Sequence, residues 1–142
     1  MSPPAVWGPR LWAFLHAFAS RVGKGTTPAV QADETREAAW IADHVDTVIP
    51  CKECRDHWKA YRKEFPGTAT TDWMVKAHNS VNRKMGKAEW TPGETVVKHA
   101  PVKELWVAYV ASIQESIAQG HLKGDHVATF ATHIGLWRSF AS

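Results

Sequence analysis

The sequence predicts an all-α protein, and three observations carry that expectation. Apolar residues recur every three or four positions in each segment long enough to judge, the spacing that lines one face of a helix. Glycine and proline interrupt those stripes at Gly23, Gly25, Pro66-Gly67, Gly86 and Gly120, where helices are commonly stopped. Hydroxyl and acidic residues stand ahead of later stripes, as in Thr70-Thr71-Asp72 and at Asp125, where they accept the N–H groups that a helix start leaves unpaired. A chain of 142 residues fits one domain and can bury a core without disulfides.

The first helix is expected over residues 6–22, with Trp7, Leu11, Phe14, Leu15, Phe18 and Val22 on one stripe. Trp12 and His16 lie on an adjacent face, four apart, so their rings can line a common wall; a histidine satisfied by packing is the plainer reading of His16. Gly23 and Gly25 end this helix, and Thr26-Thr27-Pro28 makes a loop. A second helix is expected over 33–49, with Thr35, Ala38, Ala39, Ala42, Val45, Val48 and Ile49 facing inward and Asp33 and Glu34 complementing its N-terminus. A third runs through Trp58 and Tyr61 to Pro66-Gly67. The fourth follows Thr70-Thr71-Asp72, buries Met74, Ala77, Val81 and Met85, and is capped by Gly86. After a linker-like stretch from Trp90 to Gly93, Pro101 opens a helix to about Gln119 with Leu105, Tyr109, Ile113 and Ile117 inward. Asp125 caps the last helix, whose stripe is Val127, Phe130, Ala131, Ile134 and Trp137. This terminal pair reads as a hairpin that covers the bundle or forms a subunit interface. His99, His121, His126 and His133 read as surface or packing residues.

The net charge is +3, with lysine and arginine scattered and no basic run. That balance does not mark a nucleic-acid binder. No stretch is long enough to span a bilayer, and the N-terminus lacks a charged segment followed by an apolar run. The expectation is a cytoplasmic protein without a membrane role. Most of the eight tryptophans belong to the core, but a tryptophan face can equally stack on a planar cofactor.

Chemistry concentrates in Cys51-Lys52-Glu53-Cys54, which holds the two cysteines of the chain. Cysteines at this spacing can exchange between dithiol and disulfide, and so small a ring staples little in the chain-entropy picture. A redox role in a reducing compartment fits better than a structural crosslink. Pro50 suits a helix start, which places Cys51 near the first turn, where free N–H groups and Lys52 and Arg55 favour a lowered thiol pKa. His57 follows Cys54 by one turn and either assists proton movement or caps the site. A zinc site built from Cys51, Cys54 and histidines lacks the second close-spaced ligand pair, and no metal is expected. Farther along, His78, Asn79 and Asn82 form a polar cluster beside the core face of the fourth helix. Interior amides need partners, so this cluster serves either a ligand with polar edges or a structural network; Lys84 and Lys87 are placed to meet its phosphates.

Three motifs in register, Trp7-Gly8-x-x-x-Trp12-x-x-x-His16, Cys51-x-x-Cys54 and His78-Asn79-x-Val81-Asn82-x-x-x-Gly86-Lys87, closely resemble the Erv/ALR family of FAD-linked sulfhydryl oxidases. The resemblance covers roughly the first two-thirds of the chain. It implies a four-helix-bundle core over 1–95 that holds FAD at one mouth, followed by a C-terminal helical extension over 96–142 for packing, dimerisation or substrate recruitment. It implies that Gly8, Trp12, His16, Cys54, His57, His78, Asn79, Val81, Asn82, Lys84, Lys87 and Trp90 surround the cofactor. Cys54 matches the cysteine beside the flavin ring, and Cys51 the outer one that exchanges with a thiol-containing protein substrate. Electrons then pass through flavin to dioxygen, giving hydrogen peroxide, and the family is commonly a homodimer. The chain departs from the pattern in lacking the extra shuttle cysteines of many relatives, so substrate is expected to reach Cys51 directly or through a partner's cysteine pair. Pro9 replaces an arginine common in relatives, with Arg10 as its substitute. Compact viral relatives make a viral origin, with action in the host cytoplasm or the virion, one expectation. A zinc-binding helical interaction module and a flavin-free thiol–disulfide oxidoreductase are the alternatives; neither needs the segment from His78 to Lys87.

Overall fold

The computed structural model describes residues 4–24, 27–90 and 101–141. Gly25, Thr26, the linker-like stretch from Thr91, the division expected at 95/96 and His99 lie outside the described residues. Among those described the chain is all-α: α1 (Pro4–Ala19), α2 (Pro28–His44), a 3-10 turn (Val45–Val48), α3 (Lys52–Glu64), α4 (Thr71–Lys84), α5 (Val102–Ser112), α6 (Gln114–Ala118) and α7 (Gly124–Ala141). No described helix is long and apolar enough to cross a membrane.

The helix ends differ from expectation where local hydrogen bonds outweigh the apolar stripe. α1 stops at Ala19, short of Val22, because Arg21 and Val22 bond back three residues to Phe18 and Ala19 and Gly23 takes φ +80°. α2 begins at Pro28, ahead of Asp33. Thr27 is its N-cap, its side chain accepting from the Val30 N–H at 3.2 Å. Glu34 therefore sits one turn inside, fully buried. Its Oε1 accepts the Gly23 N–H at 2.6 Å, closing the end of α1 instead of complementing the dipole of α2. Ile41 fills the core in this register, while Thr35 is half-buried and Ala39 exposed. The helix expected from Pro101 breaks at Ile113 into α5 and α6. The stripe of α4 ends before Met85, which is exposed.

α1 packs between α4 and α5, and α2 packs on α7 and the 3-10 turn, which also meets α3. The terminal hairpin is thus seated on α1 and α2. Phe14 meets Trp106 and Phe130, and Phe18 meets Trp137 edge-on at 4.8 Å. Trp106, Tyr109, Ile113, Phe130, Ile134 and Trp137 belong to the same buried cluster as the side chains of α1 and α2. His133 packs as well, stacking on Trp40 at 3.5 Å and bonding Glu37 at 2.7 Å.

Candidate active site

The 3-10 turn delivers the chain through Ile49-Pro50 to α3. Pro50 precedes the helix, and Cys51 itself is the N-cap, with φ −105° and ψ 124°. Its Sγ accepts the Cys54 N–H at 3.3 Å, so an orphan donor of the helix start is aimed at the sulfur. Both cysteines are free thiols, part-buried against the core. Burial, then the hydrogen bond and charge of Cys51, push the Cys54 thiol up to about 12. At Cys54 this is the opposite of the lowered thiol expected at the helix start, because desolvation and a neighbouring sulfur outweigh the helix N-terminus.

Cys54 leads by one helical turn to Trp58, a core residue whose indole N–H donates to the Ala42 carbonyl at 2.9 Å. Trp58 lies 6.5 Å from Trp12, which opens a wall of flat rings. Trp12 stacks on His78 at 4.2 Å and 11°, and His16 stacks on Trp90 at 4.2 Å. His16 Nε2 and His78 Nδ1 are 2.9 Å apart, a bond that needs one donor and one acceptor and so suits neutral rings. Burial, then His78, lowers His16 to about 4; burial, then Lys87, lowers His78 to about 4. Asn79 holds Trp90 in place: its Oδ1 accepts the Trp90 N–H at 2.6 Å and its Nδ2 donates to the Trp90 carbonyl at 3.0 Å.

The structure brings together Trp12, His16, His78, Asn79 and Trp90, with Asn82 buried beside them and within 3.4 Å of Asn79 Oδ1. His57 is linked to α4 through Ser80 Oγ at 3.2 Å, and burial followed by Lys84 lowers it. Lys84 and Lys87 are exposed and Val81 is half-buried. A Cβ on Gly8 would meet nothing within 4 Å, so no contact inside the chain demands glycine there. Among the described residues no group of three or more His, Cys, Asp or Glu side chains is arranged to hold a metal ion. Two residues of the site escape sequence reasoning. Trp58 was readable from its place four after Cys54. Tyr109, whose hydroxyl donates to the Val48 carbonyl just ahead of the redox turn, had no local signal.

Residues 9–106 match the model of the Erv1 / Alr family. The chain is 32% identical over 85 residues to the FAD-linked sulfhydryl oxidase ERV1 of Arabidopsis thaliana, covering 56% of this chain and 42% of that protein. It is 29% identical over 96 residues to the putative FAD-linked sulfhydryl oxidase 347L of Invertebrate iridescent virus 6, covering 59% of this chain and 83% of that protein. It is 28% identical over 87 residues to the mitochondrial FAD-linked sulfhydryl oxidase erv1 of Schizosaccharomyces pombe, covering 56% of this chain and 46% of that protein. The chain thus spans less than half the length of the plant and yeast relatives. No solved structure matches it significantly. With its helical fold and a match that runs from α1 into α5, the chain belongs to the Erv1 / Alr family.

Proposed function

We propose that this chain is an FAD-dependent sulfhydryl oxidase that forms disulfides in thiol-containing proteins, with Cys51 and Cys54 as its redox pair. The observation that carries the reading is the capped Cys51-x-x-Cys54 turn, joined through Trp58 to a wall of stacked indole and imidazole rings.

The chemistry of that wall fits FAD. Trp12, His78, His16 and Trp90 offer flat apolar faces for a planar ring system, and two imidazoles that are neutral at pH 7 add no charge to repel or trap it. Buried Asn82 offers an amide edge. Exposed Lys84 and Lys87 are cations suited to a pyrophosphate, while Arg83 is engaged by Glu89 at 2.7 Å. Gly8, His57, Asn79 and Val81 complete the set, with Asn79 acting through Trp90. FAD held by these residues would supply the two-electron redox chemistry that links oxidation of the cysteine pair to reduction of dioxygen to hydrogen peroxide.

The protein's own part is thiol–disulfide exchange. A substrate thiolate attacks Cys51 Sγ of the oxidised pair; the Cys51–Cys54 bond breaks and Cys54 leaves with the electron pair. A second substrate thiolate attacks the substrate sulfur of the mixed disulfide and releases Cys51. The substrate is oxidised by two electrons and the pair becomes a dithiol. Cys54 takes up a proton on release, because burial and the adjacent Cys51 sulfur make it a weak acid, held to about 12. Cys51, at the cap and followed by exposed Lys52 and Glu53, is the sulfur that substrate reaches. The working unit is a homodimer.

The test is the visible spectrum of the purified protein while a dithiol is added in air and oxygen is followed. A flavin spectrum that bleaches and recovers as oxygen falls supports the proposal. A colourless protein that does not take up added FAD overturns it.

A further inference from the structure

We infer that Tyr109, together with Arg55, positions Cys51, so that the C-terminal hairpin is built into the redox turn. The inference rests on the reading of Cys51 and Cys54 as a redox pair. Two successive carbonyls ahead of Cys51 are held by side chains. The Tyr109 hydroxyl, fully buried on α5, donates to the carbonyl of Val48. Arg55 Nη1 donates to the carbonyl of Ile49 at 2.9 Å and also reaches the His121 carbonyl at 3.4 Å, in the turn between α6 and α7. Buried Pro50 follows, with its φ fixed by the ring. Between Val48 and the Cys51 cap the backbone is thus restrained by two side-chain bonds to its carbonyls and by one ring-fixed φ. Burial, and then the neighbouring Cys54, push the Tyr109 phenol above its ordinary value, so it stays protonated as a donor.

Tyr109 and His121 both lie beyond residues 9–106, the part that matches the family. Both hairpin contacts to the redox turn therefore come from residues beyond the family match, although α5 begins within it. Held backbone keeps the Cys51 sulfur over the start of α3 and near Cys54, which raises the effective concentration of one thiol at the other and favours the closed disulfide. Releasing either anchor leaves the chemistry in place but loosens the ring closure.

The test is the dithiol–disulfide equilibrium of the full chain in glutathione buffers under argon, read by acid quenching, alkylation and mass, with thermal unfolding measured alongside. Tyr109→Phe keeps the ring and removes the donor; it should move the equilibrium toward the dithiol by about twofold to tenfold, the range one neutral hydrogen bond commands. Arg55→Gln, which leaves the buried ring untouched, should move it in the same direction and stands in if the tyrosine variant fails to fold. A lowered melting temperature with an unmoved equilibrium in the folded variants overturns the inference and leaves Tyr109 a packing residue. The proposed oxidase activity is judged separately: a chain without flavin whose equilibrium still shifts in Tyr109→Phe sinks that activity and keeps the positioning role. A flavin-active chain whose equilibrium does not shift does the reverse.

Discussion

Acidification from about pH 7.5 to 4.5 is expected to weaken the fold through one pair of imidazoles. His16 and His78 share a bond of 2.9 Å, and each is lowered to about 4 from 6.5. A folded value below the unfolded one means that the unfolded chain takes the proton first. The contribution is therefore complete above about pH 6.5 and is lost as the pH falls toward 4. One histidine moved that far corresponds to about 3 kcal/mol at full effect. Both rings are partly open to water, and a first proton can be shared across the bond, so we take about 2 kcal/mol for the pair after solvent screening. In a domain of this size that is a fall of roughly 4–8 °C in melting temperature. The assay is thermal unfolding by circular dichroism at stepped pH, comparing the parent with His78→Gln in the same cofactor state. Glutamine keeps an amide that can bond His16 but does not titrate, so the difference between the two profiles isolates the share of His78 and its coupling to His16 from every carboxylate. Parallel profiles, or a parent that gains stability on acidification, would refute the reasoning.

Cys54→Ser should keep the visible flavin spectrum and lose its bleaching by dithiols, because the cysteine that receives the electron pair is gone; rapid bleaching would remove Cys54 from its role. Since Cys54 holds its proton to about 12, flavin reduction by the dithiol pair should speed up with pH between about 7 and 9, and a flat stopped-flow profile would show that this proton is not limiting. Trp58→Ala should cost about 3–5 kcal/mol in denaturant unfolding, because the ring is buried at the junction of α1, α3 and α4; a loss under 1 kcal/mol would mean that the site collapses to fill the space. Deleting residues 101–142 should leave an unfolded chain by circular dichroism. The hairpin buries nine hydrophobic side chains, each about 1.5–3 kcal/mol in gross transfer energy, and its loss also uncovers the core faces of α1 and α2, a large deficit for a domain whose net stability is usually about 5–15 kcal/mol.

The all-α pattern was legible because Trp, Phe, Leu and Met contrast sharply with their neighbours at helical spacing. Where the contrast fails, so does the reading. Thr35, Ala38, Ala39 and Ala42 differ too little in apolarity to fix the rotation of α2, and a small turn about its axis exchanged Ala39 for Ile41 and drew Glu34 inside. The start of α2 was hidden for a related reason: its signal is the Thr27 cap and Pro28, a pair that reads equally well as a loop. In the site, Trp12, His16 and His78 could be found from positions on two helices. The acidity of Cys54 could not, since it is set by burial that only the packed structure defines. In the sequence Tyr109 is one more stripe residue, because its partner Val48 lies 61 positions away.

Asn79 shows how a correct residue can carry a different role from the one its type suggests. An amide beside the core was expected either to read the polar edge of a ligand or to join a structural network. Both its donor and its acceptor engage the backbone of Trp90, and the Asn82 amide approaches the same oxygen. With those bonds made, the Trp90 indole lies on His16, and His16 bonds His78, which lies on Trp12. The order of the whole wall therefore depends on an amide that takes no place in its stacked faces. On the proposed function, what the wall offers a ligand comes from the rings, from Asn82 and from the two lysines, while both polar atoms of Asn79 are engaged within the chain.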